Sequence, residues 1–479
     1  MYTEISSPTL INVTFSGNSA GDSGGGMYNS DNSSPSVRNS ILWNNLDSSG
    51  TGTITASIYN ITSTITLTHS LVQGSGGSVS WVGGSYVDGG NNIDSDPLFV
   101  EAVDPAEAPT KGGDLRLQTG SPAINAGDNQ YVSGIDTDLD GEPRISGGTV
   151  DMGAYEFQCP SVTTQYVDQA ASPTGDGSSW ENAYMDIQDA LFVSAACSDI
   201  NEIWVATGVY TPGVSVYDTF QLLDGVSIYG GFDPDSGVEE FSDRDREAFP
   251  TVLSGDIDGD DITDVNGVVT TTTNIVGDNS YHVVTGSGVT TTTVLDGFII
   301  TAGKANYGIG IPVPELVHNY GAGMINVSGS PALTDVTFSG NSANTGGGGM
   351  YNEIGSSPVL TNVNFVNNSA TDGAGMMNLG SNPTLTGVTF SSNKASFYGG
   401  GIYNYINSNP TLTDVTFNGN SALRVGGAMY NDNHCSPTLT EVAFSGNTSF
   451  SGGGIYNFDN SNPMLMNVTF NGNSASDSG

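Results

Sequence analysis

The chain has 479 residues, 50 of them acidic and nine basic, for a formal net charge of −41. A field of that sign repels nucleic acid, whose binding rests on cationic contacts to phosphate, and it disfavours anionic membrane surfaces. Charged residues are only 12% and glycine fills 66 positions, yet a hydrophobic share of 36% is too high for a disordered chain.

In chain order, residues 1–45 read as the last coils of one solenoid, ending in SPSVRNSILWNN. Residues 46–158 read as irregular β structure that closes it. Residues 159–330 open and cap a second solenoid. Within them Ser178 stands three residues before Glu181, the spacing of a capping box. Trp180, Ala183, Tyr184, Ile187, Ala190 and Leu191 recur at helical spacing. Together they predict a short amphipathic helix near 180–196 that plugs the open end and protects the first strand edge. Cys159 and Cys197 bracket this segment and are candidate disulfide partners, which fits an oxidising location without demanding one. No run in the sequence approaches the ~18 apolar residues of a membrane span.

Residues 331–479 are regular coils. Six copies begin at Pro331, Pro358, Pro383, Pro410, Pro437 and Pro463. Each reads S/N-P-x-L-x-x-V-x-F-x-x-N, then a glycine-rich stretch, then an apolar residue followed by Tyr-Asn or Met-Asn. Phe338, Phe365, Phe390, Phe417, Phe444 and Phe470 form one column; Asn341, Asn368, Asn393, Asn420, Asn447 and Asn473 form another. Short β-rich runs bounded by Pro, Gly and Asn are strands between turns. Stacking coils about 4.8 Å apart in parallel register places like on like, Phe inside and Asn at the corners, where it tolerates left-handed backbone. The fold class is all-β: a right-handed parallel β-helix, three-sided, with coils of about 26 residues.

Residues 1–10 repeat Met350–Leu360 with one deletion, and the terminal GNSASDSG matches Gly17–Gly24. The expectation is a window cut from a longer protein, truncated at the C-terminus, whose exposed terminal coils stack head to tail between molecules.

The F-x-x-N and Gly-Gly-apolar pairing, as in Phe338 and Asn341 followed by Gly348, Gly349 and Met350, resembles the repeat of polymorphic outer membrane proteins. YVDQAASPTGDGSSWENAYMDIQDAL, EIWVATGVYTP, GVSIYGGF and PTVLSGD resemble the opening segment of bacterial β-helix surface proteins. SPAINAGD and DTDLDGEPRISGGTVDMGAYEF resemble the closing segment of choice-of-anchor proteins with parallel β-helix repeats. The resemblance implies a secreted or cell-surface bacterial solenoid, sometimes adhesive toward glycans or proteins, and as a rule without enzymatic activity. The chain has no transporter barrel or sorting tail, which leaves the mode of anchoring open.

The alternative is a carbohydrate-active enzyme, a polysaccharide lyase or glycoside hydrolase on a β-helix scaffold, with its site near Asp256 to Asp264. A lyase needs a base and a cation site, and the regular coils offer only Lys394 and Arg424, at different places in their coils. A hydrolase needs two carboxylates at a set separation, whereas Asp335 and Asp414 share a column three coils apart, about 14 Å. The four histidines (His69, His282, His318 and His434) form no close pair in the sequence. Structural calcium is the one candidate ligand. Asp136, Asp138 and Asp140 before Gly141 alternate as in a calcium loop but lack its Glu twelve positions on, and Asp256, Asp258 and Asp260 form a second acidic loop. Tyr351, Tyr403, Tyr430 and Tyr456 form a column fit either to stack on sugars or to pack in the solenoid wall.

Overall fold

A regular coil is made of four strands, each two to five residues long. In the coil that starts at Pro383 they are Thr384–Thr386, Thr389–Ser391, Lys394–Tyr398 and Ile402–Tyr405. Alternation along each strand turns Leu385, Phe390 and Ala395 inward, all buried, while the flanking threonines face out. The computed structural model describes residues 1–308 and 315–479; residues 309–314, inside the expected opening region, lie outside the described residues. Among the described residues the second solenoid's strands stack into parallel sheets of ten, nine, eight and seven strands. We name these, by their buried or wall-forming residue, the leucine (10), phenylalanine (9), tyrosine (8) and alanine (7) sheets.

Three sheets follow the sequence expectation and the alanine sheet adds a fourth. It forms because the chain stays extended after each column Asn, with Ala343, Ala370, Ala395 and Ala422 small enough to pack inward beside one another. The register is like on like. Phe338, Phe365, Phe390, Phe417, Phe444 and Phe470 are successive partners, with ring centroids 4.7–4.9 Å apart and planes within 7°. The ring spacing equals the strand spacing, so the backbone sets the stack. Phe470 has a coil on one side and is 52% exposed, whereas the other five are fully buried.

The column asparagines are inside, not on the outer bends. Asn341, Asn368, Asn393, Asn420 and Asn447 are 0% exposed. In each, backbone N and side-chain Nδ2 donate to Oδ1 of the next Asn at 2.8–3.1 Å. From Asn368 onward Nδ2 also donates to a Phe carbonyl of the preceding coil. The left-handed backbone belongs to the residue before: Gly340, Asn367, Ser392, Gly419, Gly446 and Gly472. The turn is made one position early, which frees the ladder Asn to point inward. A second left-handed corner falls between the leucine and phenylalanine sheets, at Asp335, Asn362, Gly387, Asp414, Glu441 and Asn467.

The chain divides into two compact units, residues 1–161 with 192–199, and residues 162–191 with 200–479. In unit 1 parallel coils continue past residue 45: Ile58–Asn60, Ile65–Thr68, Leu71–Val72 and Tyr86–Asp88 all pair in parallel with earlier strands. The stretch expected to be irregular is therefore coiled at its start. Antiparallel pairing appears at Phe99–Glu101 with Asp114–Leu117.

The capping segment differs in detail from the sequence reading. Trp180–Asn182 is a single 3-10 turn, and the α-helix spans Ile187–Ala196. Ser179, not Ser178, caps the turn by accepting from Asn182 N; Ser178 Oγ instead donates to Asp176. The edge of the first strand of the leucine sheet, Thr164–Val167, is covered by backbone of this segment. Tyr166 N donates to Gly177 O and Asp168 N to Tyr184 O, while Tyr184 N donates to Tyr166 O. Protection of the edge comes from this turn, with the helix after it. Among the described residues no helix is long and apolar enough to cross a membrane.

Candidate functional site

Sheet ends and the loops between sheets carry the residues whose chemistry is not explained by stacking. The acidic loop after Thr251–Ser254 is the most concentrated. Asp256, Asp258 and Asp260 bring one carboxylate oxygen each within 4.8 Å of the others, the one such group among the described residues. Asp256 accepts from the backbone of Gly259, Asp260 and Asp261, which closes the loop on itself. The backbone N–H of Asp278 holds the Asp258 carboxyl below its ordinary pKa. Desolvation and the neighbouring Asp258 push Asp260 up. Gly277 has left-handed backbone, and a Cβ there would stand 2.4 Å from Asp258 Oδ2 and 2.5 Å from Asp260 Oδ1, so only glycine admits this crowding.

Asp136, Asp138 and Asp140 do not converge in the same way. Asp138 Oδ1 accepts from the backbone of Asp140 and Glu142, and Oδ2 accepts from Glu156 N, so its carboxylate organises a turn. Cys159 and Cys197 are joined by a disulfide with a Cα–Cα distance of 5.6 Å. Cys435 is buried and free, its thiol pushed up to about 11 by burial.

The tyrosine column lies in the wall. Tyr351, Tyr403 and Tyr430 are 3–6% exposed and pack with Met377, Tyr398 and Tyr405 in one apolar cluster. Tyr403 and Tyr430 stack at 5.0 Å. No sugar ring reaches faces so covered, and burial raises all three hydroxyls.

Three arrangements were not visible in the sequence. Asn326, Asn352, Asn378, Asn404, Asn431 and Asn457 form a second amide ladder, Nδ2 to Oδ1 at 2.8 Å throughout. The Tyr-Asn and Met-Asn pairs were its signal. The residue before the S/N-P step builds a third ladder: Ser381 N donates to Ser408 Oγ, Ser408 N to Cys435 Sγ and Cys435 N to Ser461 Oγ. The histidines do pair in space. His282 Nε2 lies 3.0 Å from His318 Nδ1, and His282 Nδ1 lies 3.0 Å from Gly321 O. Burial lowers His282 to about 4. Nothing in the sequence joins two histidines 36 positions apart.

A cleft of 640 Å³ lies in the second unit, walled by Arg244, Arg246 and Pro250 and floored by Ile299, Thr337 and Asn364. Arg246 bridges Asp296 at 3.3 Å and Asp335 at 2.8 Å, and Arg244 bridges Asp296 at 2.7 Å.

Two stretches, residues 335–353 and 387–405, match the Chlamydia polymorphic membrane protein repeat. Each runs from the Asp335 type of corner through the buried Phe and Asn to the Tyr-Asn strand. Both matched stretches lie in the regular coils of the parallel β-helix, which is consistent with repeats of that type. The two matched stretches carry residues that stack in this structure: Phe338 and Phe390, Asn341 and Asn393, Asn352 and Asn404. No curated protein matches the chain.

Proposed function

We propose that the chain is a non-catalytic structural or adhesive module of a secreted or cell-surface bacterial protein, with the solenoid wall as a contact surface for glycans or proteins. The match to a membrane-protein repeat carries this reading, because the matched stretches hold residues that stack coil on coil. Repeat stacking fixes outward side chains in a regular array, and an acidic exterior disfavours self-association of the coils. Calcium, in this reading, is an adjunct that ties down the loop of Asp256, Asp258 and Asp260.

The test uses the full chain on arrays of glycans and extracellular proteins, together with a polysaccharide panel assayed for reducing ends and unsaturated products. Retention on an array with no product release is the expected result. Product release abolished by Asp258→Asn would overturn the non-catalytic reading. Brief protease treatment of intact producing cells should release peptides of this chain; full protection would contradict a surface location.

A further inference from the structure

The two units share one corner and one outward strand face, and in unit 1 that face is filled. Asn12 and Asn39 hold left-handed backbone at successive copies of the corner, φ 51° and 45°. Beyond them Thr14 and Ile41 are paired across neighbouring coils. A bent stretch of the same unit, residues 151–154, lies over this face and is held by its backbone. Asn12 Nδ2 donates to the carbonyls of Asp151 and Gly153, at 2.9 and 3.1 Å. Gly153 N donates to Asn39 O at 2.8 Å, and Ala154 N to Thr14 Oγ1 at 3.0 Å. Asn39 exchanges two further bonds with the backbone of Asp128. A Cβ on Gly153 would stand 2.8 Å from Ile41 Cδ1 and 3.0 Å from Thr14 Oγ1, so the occupant needs glycine at its closest approach.

Unit 2 repeats the corner and the floor. Asp335 and Asn362, φ 51° and 55°, stand where Asn12 and Asn39 do, and Thr337 pairs with Asn364 as Thr14 does with Ile41. The neighbouring corner is taken by loop backbone in both units: Asn44 Nδ2 donates to Val103 O, and Asn367 Nδ2 to Thr270 O, each at 2.9 Å. At the first corner of unit 2, however, Asn362 Nδ2 donates to Asp335 Oδ1 at 3.2 Å, and the space over Thr337 and Asn364 is the 640 Å³ cleft. The cleft therefore continues a face that already docks backbone. Arg244 and Arg246 are paired with Asp296 and Asp335 at this corner, while Asp245 and Glu247 also line the cleft and leave it acidic; the uncharged amides of a peptide backbone meet no charge repulsion there.

We propose that this cleft is a docking site for a bent polypeptide segment with a glycine at its closest approach, taken up by its backbone as residues 151–154 are in unit 1. The proposal rests on the solenoid wall being a contact surface and names one partner class for it. An amide side chain at a left-handed corner reads backbone carbonyls, as Asn12 does those of Asp151 and Gly153, which gives affinity with little sequence demand beyond that glycine.

The test is fluorescence anisotropy of a labelled synthetic peptide, TVDMGAYE (residues 149–156), with the full chain. Asn362→Gly keeps the left-handed backbone and deletes the amide; Thr337→Arg fills the floor; Glu441→Gly alters the same corner three coils on. Thermal unfolding of each variant checks the fold. The parent and Glu441→Gly should bind saturably, Asn362→Gly should bind about tenfold more weakly, and Thr337→Arg should not bind. A peptide carrying Gly153→Val should fail on every protein. Absent peptide binding, binding indifferent to Asn362 and Thr337, or binding of a neutral oligosaccharide blocked by Thr337→Arg in place of peptide binding would each overturn the proposal. Should the peptide fail while the arrays still retain the chain, the contact-surface reading stands and this site falls.

Discussion

The regular coils of residues 331–479 and the closing stretch of residues 121–157 both place polar groups inside the fold, and they satisfy them by opposite means. In the coils each buried Asn meets an identical Asn one coil away, so neutral amides fill one another's valence and no charge is buried with them. The closing stretch has no next copy. There Arg144, 3% exposed in its side chain, pairs with Glu156 at 2.9 Å; Glu156 also accepts from Ser146 N and Asp151 N, and Asp151 accepts from Asn125 N and Phe157 N. Two carboxylates are buried here, and the guanidinium pairs with only one of them, Glu156. The amide ladders are thus indifferent to pH, whereas the closing stretch titrates.

The largest effect should break the repetition itself. Phe390→Ala, in a fully buried column, should cost about 3–5 kcal/mol in urea unfolding. Phe470→Ala should cost well under half of that, because its ring is already half exposed. Equal costs at the two positions would mean that stacking from both sides contributes nothing. Next, Asn393→Ala leaves the Asn368 backbone N–H without its acceptor and Asn368 Nδ2 with only the Phe338 carbonyl, and should cost about 1–3 kcal/mol. Asn404→Ala in the second amide ladder should fall in the same range, so a large disparity would show that the two ladders are not equivalent.

The fold was legible where residues recur. Phe338 to Phe470 and Asn341 to Asn473 could be placed in columns from spacing alone, because each position is copied six times and the copies must stack. Local geometry was less so. The left-handed turn sits at Gly340 or Asn367 and not at the ladder Asn, since the amide can turn inward only if the bend precedes it. Ser179 caps where Ser178 had the matching spacing, because Asp176 engages the latter. Contacts made once, between distant segments, left no trace: His282 with His318, and the cleft formed where Arg246 reaches Asp335, have no repeat to announce them.

The closing stretch sharpens the contrast through pH. Burial, and the Glu156 carboxylate beside it, push Asp151 up to about 8, well above the ordinary carboxylate range. A folded pKa raised above the unfolded value contributes stability that is fully present below about pH 4 and is lost as pH rises through 8, by up to about 1.4 kcal/mol per pH unit. Asp151→Asn should flatten that dependence in thermal melts from pH 4 to 9. A parent and variant with parallel pH profiles would place the proton elsewhere. The smallest effect belongs to the third ladder. Cys435→Ser puts a hydroxyl where Ser408 and Ser461 already carry one, and should change stability by less than about 0.5 kcal/mol.

Rung-on-rung register is tested most directly by cross-linking outward threonines of the leucine sheet. Thr386 is paired with Thr413, and Thr413 with Thr440. Neighbouring strands stand about 4.8 Å apart, inside the Cα separation a disulfide accepts, whereas two coils span about 9.6 Å, outside it. Thr386→Cys with Thr413→Cys should therefore oxidise to a disulfide in the folded chain, and Thr386→Cys with Thr440→Cys should not. Cross-linking of the second pair but not the first would contradict the stacked register.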